Sequence, residues 1–267
     1  MTDTNKKFAL ITGATSGIGH ELAKLFAQNG YNEILVARSQ EDLDQTASDL
    51  RKQYGVEVEV IAKDLFEPNA AFELYDTVKE KGIQVDVLVN DAGQGQYGKF
   101  VDTDIHREIQ IIQLNVISTL VITKSFLKDM VARKDGKILQ VASIAAKIPG
   151  PYQSVYHSTK AFLLAHTAAL ENELKGTGVT ITALLPGGTD TDFFHKADME
   201  DTKMVKDDGD KLADPADVAK DGYEALMKGE GKVVSGFKNK LQTAMSNIIP
   251  DSVIAAQTEK QMQPSDK

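Results

Sequence analysis

The chain has 267 residues, 42% of them hydrophobic and 26% charged, which fits a soluble globular protein rather than a disordered or membrane one. A net charge of −9 disfavours phosphate backbones, so nucleic acid is not an expected partner. No cysteine is present, which excludes disulfides, thiolate nucleophiles and zinc–thiolate sites and is compatible with the cytoplasm, the expected location.

Short β-branched runs alternate with longer helical patterns along the chain, the signature of a parallel sheet wrapped by helices. The first apolar run, 8–11, follows Lys6 and Lys7 but is too short for a signal-peptide core, so it is read as a strand. The predicted strands are 8–12, 33–37, 56–62, 85–90, 137–142, 179–184 and 232–235. Between them, apolar residues at three- and four-residue spacing, such as Leu22, Leu25 and Phe26, predict helices, among them 70–81, 105–131 and 154–175. The predicted fold is therefore α/β: a doubly wound, mostly parallel seven-stranded sheet with helices on both faces, a single domain over 1–267. The segment 192–212 is expected to be a substrate-side lid. Beyond about Asp251 the chain turns polar and is expected to fray, the alternative being a tail folded over the active site or a partner subunit. No apolar run approaches the roughly 18 residues of a membrane span, so a membrane is not an expected partner. His20, His106, His157, His166 and His195 lack i,i+3 or i,i+4 pairing, so no metal site is expected.

In a doubly wound sheet the chemistry lies just beyond the carboxyl ends of the strands. After the first strand comes Thr12-Gly13-Ala14-Thr15-Ser16-Gly17-Ile18-Gly19, then a helix, so backbone N–H groups at the helix start can cradle a pyrophosphate. A second stretch, Gly93-Gln94-Gly95-Gln96-Tyr97-Gly98, matches G-x-G-x-x-G more literally. No helix opens after it, so it reads as a flexible loop over the site. The second strand ends Leu35-Val36-Ala37-Arg38-Ser39 with no acid to meet a ribose 2′-hydroxyl. NADP(H) is accordingly expected in preference to NAD(H), with Arg38 and Ser39 holding the 2′-phosphate; the competing reading is a solvated strand-end charge.

Tyr-x-x-x-Lys places a phenol and an ammonium one helical turn apart, and the chain contains it twice, at Tyr75/Lys79 and Tyr156/Lys160. A proton-transfer site also needs a group that polarises the carbonyl. Ser143, directly after the fifth strand, supplies one for Tyr156. Tyr75 has no such neighbour and is expected to face solvent or packing.

Taken together, Thr12-Gly13-x-x-x-Gly17-x-Gly19, Asn90-x-Ala92-Gly93, Asn115, Ser143, Tyr156-x-x-x-Lys160 and Pro186-Gly187 resemble the motif series of short-chain dehydrogenases/reductases, from about residue 7 to 195. The resemblance implies a Rossmann fold and an NADP(H)-dependent oxidoreductase moving a hydride between nicotinamide and a carbonyl or alcohol carbon. It implies a catalytic tetrad of Asn115, Ser143, Tyr156 and Lys160. Tyr156 would be the general acid/base, and Lys160 would lower its pKa and bind the nicotinamide ribose. Ser143 would hydrogen-bond the substrate oxygen, and Asn115 would complete a proton relay through a water. It further implies cofactor contacts from Gly13, Thr15, Ser16, Gly17, Ile18 and Gly19; from Arg38, Ser39, Asp64 and Leu65; from Asn90, Ala92 and Gly93; from Tyr156 and Lys160; and from Pro186, Gly187, Thr189 and Thr191. Two departures stand out: Asp91 replaces the usual second asparagine, and Gly188 adds a flexible position to the carboxamide loop.

Phe193, Phe194, Met199 and Met204 point to an apolar or aromatic carbonyl substrate, the bland alternative being a lid simply anchored to the core. Pairing of the long helices would give a homodimer or homotetramer, by analogy with similar proteins. The competing function is a catalytically silent NADP(H)-binding regulatory protein. An α/β-hydrolase is disfavoured because no G-x-S-x-G elbow occurs.

Overall fold

The computed structural model describes residues 7–206, 212–246 and 248–265. Its strands are β1 (Phe8–Thr12), β2 (Asn32–Ala37), β3 (Val58–Ala62), β4 (Val85–Asn90), β5 (Gly136–Val141), β6 (Val179–Leu185) and β7 (Lys232–Val234). All seven pair in parallel in the order β3-β2-β1-β4-β5-β6-β7, so the order reverses between β1 and β4. Successive side chains of a strand point to opposite faces, and here both faces are covered. Ala9 and Ile11 enter a core with Leu22, Phe26, Leu43 and Val218. Leu10 enters the opposite core with Leu74, Ile122, Phe126 and Met130.

Local chemistry fixes the helix starts. Ser39 accepts a hydrogen bond from the Asp42 N–H ahead of helix Gln40–Tyr54, Asp104 from that of His106, and Asp214 from that of Ala216 with Pro215 in the first turn. Helix Gly17–Gln28 follows the glycine loop directly, and helix Ser154–Glu173 stops two residues short of its predicted end.

The long helix predicted over 105–131 runs from Ile105 to Arg133 with a π-helical segment, Gln113–Ser118, in its middle. This helix is long and apolar enough to cross a membrane, but its buried residues Leu114, Ile122, Phe126 and Met130 pack into the sheet core. The predicted start of the third strand shifts because Glu57 meets the β2 backbone through its carbonyl alone, which accepts the Glu33 N–H at 2.9 Å. Glu57 instead donates its N–H to the Asn32 side chain at 3.0 Å.

The expected fraying of the polar tail is corrected. Asp251–Met262 is an α-helix. Met262 is buried, its carbonyl accepts the Tyr97 hydroxyl at 2.6 Å, and the Lys203 N–H donates to the Gln263 carbonyl at 3.0 Å. Thr258 and Met262 are buried and Ile254 and Ala255 half-buried, so one side of this helix packs on the protein. Residues 266–267 of the predicted tail and 207–211 of the predicted lid lie outside the described residues.

Candidate active site

A cleft of about 1030 Å³ opens beyond the carboxyl ends of the strands, where the strand order reverses. Its floor at β1 is the glycine loop, with Gly13, Thr15, Ser16, Gly17 and Ile18 on the wall. Gly19 lies one layer behind. A Cβ there would stand 2.4 Å from the Gly13 carbonyl oxygen and 2.5 Å from the Asp91 carboxylate, so only glycine lets the helix close against the loop. The Asp91 carboxylate, which stands where the family usually has asparagine, packs against Gly13 and Gly19 at the end of β4, and the Gly19 backbone N–H lowers its pKa. Burial raises the affinity of this carboxyl for its proton, and the charge of Lys160 works in the opposite direction.

At the β2 and β3 ends, Arg38, Ser39, Asp64 and Leu65 border the same cleft. Arg38 lies 5.7 Å from the centre of the Phe66 ring and Arg107 5.2 Å from it, and Lys63 lines the wall beside Asp64. Arg107 and Lys63 escaped the sequence reading. Arg107 comes from a helix distant in sequence, and Lys63 carries no motif. Ala92 and Gly93 continue the wall at β4, whereas Asn90 turns inward and donates to Thr123 Oγ1 at 3.0 Å.

The helix Ser154–Glu173 carries Tyr156 and Lys160 one turn apart, and Ser143 follows β5. The Ser143 hydroxyl accepts the Ala145 N–H at 3.0 Å and donates to the Pro186 carbonyl at 3.5 Å, so its position is set by the turn it caps, and from there it lowers the pKa of the Tyr156 phenol. The expected lowering of the Tyr156 pKa by Lys160 does not match this geometry. Burial, reinforced by the Asp91 charge, outweighs the Ser143 hydroxyl and pushes the phenol up to about 12. Lys160 Nζ stands 5.8 Å from the centre of the phenol ring and donates to the Val141 carbonyl at 2.7 Å. Burial lowers the pKa of this amine, and Asp91 opposes that shift.

Asn115 is buried in the π-helical segment. Its Oδ1 accepts the Gln94 N–H at 3.0 Å, and its Nδ2 donates to the Gln94 carbonyl at 2.8 Å and to Thr159 Oγ1 at 3.0 Å. Its side chain and the Lys160 ammonium converge on Gly93, where a Cβ would lie 3.4 Å from Asn115 Oδ1 and 3.3 Å from Lys160 Nζ. The loop 93–98, expected to be flexible, is held on both sides. Tyr97 N–H donates to the Ala197 carbonyl and Gly98 N–H to the Tyr152 carbonyl, each at 2.9 Å, and the Tyr97 and Tyr152 rings stack at 5.4 Å.

The second Tyr-x-x-x-Lys pair stands apart from the cleft. The Tyr75 hydroxyl and Lys79 ammonium both donate to Asp129 at 3.1 Å, on the flank of the long helix.

Pro186, Gly187, Thr189 and Thr191 complete the cleft after β6. Its outer end is apolar, formed by Ile148, Phe193, Phe194, Met199, Met204 and Met262. Asn239 packs on Gly187 and Gln261 lines the cleft from the C-terminal helix; neither was expected, because no local pattern links residues so far down the chain to the site. Among the described residues no cluster of His, Asp and Glu could hold a metal.

Residues 7–202 match the short chain dehydrogenase family model. A very-long-chain 3-oxoacyl-CoA reductase of Anas platyrhynchos is 35% identical over 185 residues, 67% of this chain and 58% of that protein. The chain therefore spans little more than half the length of that relative. It aligns with 70% of an uncharacterized oxidoreductase of Bacillus subtilis, at 37% identity over 70% of this chain. Among solved structures, a Sphingobium yanoikuyae short-chain dehydrogenase in complex with NADPH superposes with a TM-score of 0.80 at 25% identity, covering 97% of this chain and 99% of that one. A 7β-hydroxysteroid dehydrogenase superposes with a TM-score of 0.84 at 25% identity, covering 95% and 96%. Sheet order, glycine loop and matched sequence agree: the chain belongs to the short-chain dehydrogenase/reductase family and is an NAD(P)-dependent oxidoreductase of Rossmann fold.

Proposed function

We propose that this protein reduces or oxidises a carbonyl/alcohol pair with NADP(H), Tyr156 serving as the general acid/base. The observation that carries this reading is the Ser143–Tyr156 hydroxyl pair, set on the cleft wall with Lys160 one turn behind. The glycine loop fits a dinucleotide, because Gly13 and Gly17 take the left-handed backbone on the cleft wall at the start of helix Gly17–Gln28, where N–H groups can meet a pyrophosphate. Bound there, the nicotinamide would supply the hydride.

In reduction, Tyr156 gives its phenolic proton to the substrate oxygen, and a pKa pushed up to about 12 keeps that proton in place at neutral pH. Ser143 hydrogen-bonds the same oxygen as negative charge develops. Lys160, cationic and buried, faces the ribose side of the cleft. Asn115 acts as a positioning residue that fixes the Gln94 backbone and Thr159. NADP(H) rather than NAD(H) is supported by Arg38, Lys63 and the nearby Arg107 at the end of the cleft, where β2 provides no acid.

The substrate is an apolar or aromatic carbonyl compound, consistent with the Phe and Met wall and with the long-chain and steroid names of two relatives. Residues 1–267 work as one domain, with 192–212 as its substrate-side lid. The outward Ile105, Ile109, Ile112 and Phe162 support pairing of the two long helices in a homodimer or homotetramer.

A panel of ketones, aldehydes, steroids and sugars assayed with NADPH and NADH tests the reading, with Tyr156→Phe as control. Turnover with NADPH, lost in the variant while cofactor binding persists, is expected. Turnover confined to polar sugars would refute the apolar substrate, tighter NADH binding would refute the NADP(H) assignment, and an undiminished variant would refute the role of Tyr156.

A further inference from the structure

Helix Phe237–Met245 is amphipathic in the reverse sense. Its polar residues Asn239 and Thr243 face the protein: Asn239 Nδ2 donates to the Ser235 carbonyl at 2.8 Å, and Thr243 is 9% exposed. Its apolar residues face outward. Phe237, Leu241 and Met245, spaced four apart and so on one stripe, are 84%, 55% and 47% exposed, and Ile248 just beyond is 86% exposed. The helical period puts Lys238 on one edge of this stripe and Lys240 on the other.

The local charge is also inverted. The chain carries −9 overall, yet 231–250 holds Lys232, Lys238 and Lys240 and no Asp or Glu. A contiguous apolar stripe with a basic rim marks a surface that meets another phase. We propose that this face docks on an anionic lipid bilayer. Phe237, Leu241, Met245 and Ile248 enter the acyl boundary, and the ammonium groups of Lys238 and Lys240 reach the headgroups.

A second copy of this chain fits the face less well. A two-fold interface sets the same patch against itself, which brings both copies' Lys238 and Lys240 together. With a net charge of −9 the rest of the chain is on balance repelled by anionic lipid, so contact is favoured at this basic segment. Phe237, Lys238, Asn239 and Gln242 also line the cleft, so docking brings its entrance to the membrane. This inference stands without the oxidoreductase reading.

The test is sedimentation of the full chain with vesicles of phosphatidylglycerol mixed with phosphatidylcholine, and with phosphatidylcholine alone, at low and high salt. Binding to the anionic vesicles that weakens with salt is expected. Leu241→Ser combined with Met245→Ser weakens it about tenfold, and Lys240→Glu also about tenfold. Melting curves verify the fold, and Lys240→Glu alone carries the test if the double variant does not fold. The inference is overturned if the protein stays in the supernatant, sediments equally with phosphatidylcholine, or binds undiminished in both variants. Self-association that Leu241→Ser abolishes, without vesicle binding, would assign the face to a second copy instead.

Discussion

Replacing Gly19 by Ala sets helix propensity against close approach. Gly19 is the third residue of helix Gly17–Gln28 and has an ordinary helical backbone. By propensity alone, alanine would stabilise the helix by up to about 1 kcal/mol. Its Cβ, however, would fall 2.4 Å from the Gly13 oxygen and 2.9 Å from the Gly13 carbonyl carbon, about 1 Å inside ordinary contact. Both are backbone atoms, which cannot swing aside as the end of a side chain can. The second clash, at 2.5 Å, is with the Asp91 carboxylate, so the packing of the β4 end on the loop is strained as well. A displacement of about 1 Å that breaks two backbone hydrogen bonds to a charged phosphate, at about 1.5 kcal/mol each, costs about 3 kcal/mol, or about a hundredfold in affinity. The clash therefore outweighs the propensity gain. Fluorescence titration with NADPH should show about hundredfold weaker binding in Gly19→Ala, and the melting temperature of the free protein should not rise. Unchanged NADPH affinity together with a higher melting temperature would show that propensity wins and would refute the reasoning.

Three further outcomes follow from individual groups. Burial holds the Glu33 carboxyl well above its ordinary 4.5, so the folded state keeps a proton that the unfolded chain releases, and stability falls as pH rises above about that value. Glu33→Gln should flatten this slope, gaining about 1.4 kcal/mol for each unit by which the folded pKa is raised once pH exceeds it; parallel melting-temperature profiles from pH 5 to about 8 would contradict this. Ser143→Ala removes the hydroxyl that lowers the Tyr156 phenol, so the rise of alcohol oxidation with pH should move to higher pH. A limb that stays in place would separate Ser143 from the phenol. Tyr97→Phe keeps the ring stacked on Tyr152 but loses the 2.6 Å bond to the Met262 carbonyl, worth about 1 kcal/mol. Amides of 251–265 should then exchange about fivefold faster by hydrogen exchange, and unchanged rates would show that other contacts hold the helix.

The sequence by itself determined the alternation of strands and helices, the seven-stranded parallel sheet, the placing of Gly13 and Ser143 just beyond strand ends and that of Tyr156 and Lys160 one turn apart on the following helix, since period-two and period-3.6 patterns and glycine spacing are local properties of the chain. It also separated Tyr156 from Tyr75 through Ser143, and Tyr75 indeed lies apart on Asp129. Tertiary structure alone decided what depends on neighbours remote in sequence. Arg107 joins Arg38 on Phe66, Asn115 turns its side chain onto the Gln94 backbone, and the polar tail becomes a helix pinned by Tyr97. The rise of the Tyr156 pKa belongs here too, because desolvation depends on what surrounds a group and not on the residue one turn away. So does the outward apolar face of Phe237–Met245: a sequence marks an amphipathic helix, but only packing settles which side meets the protein.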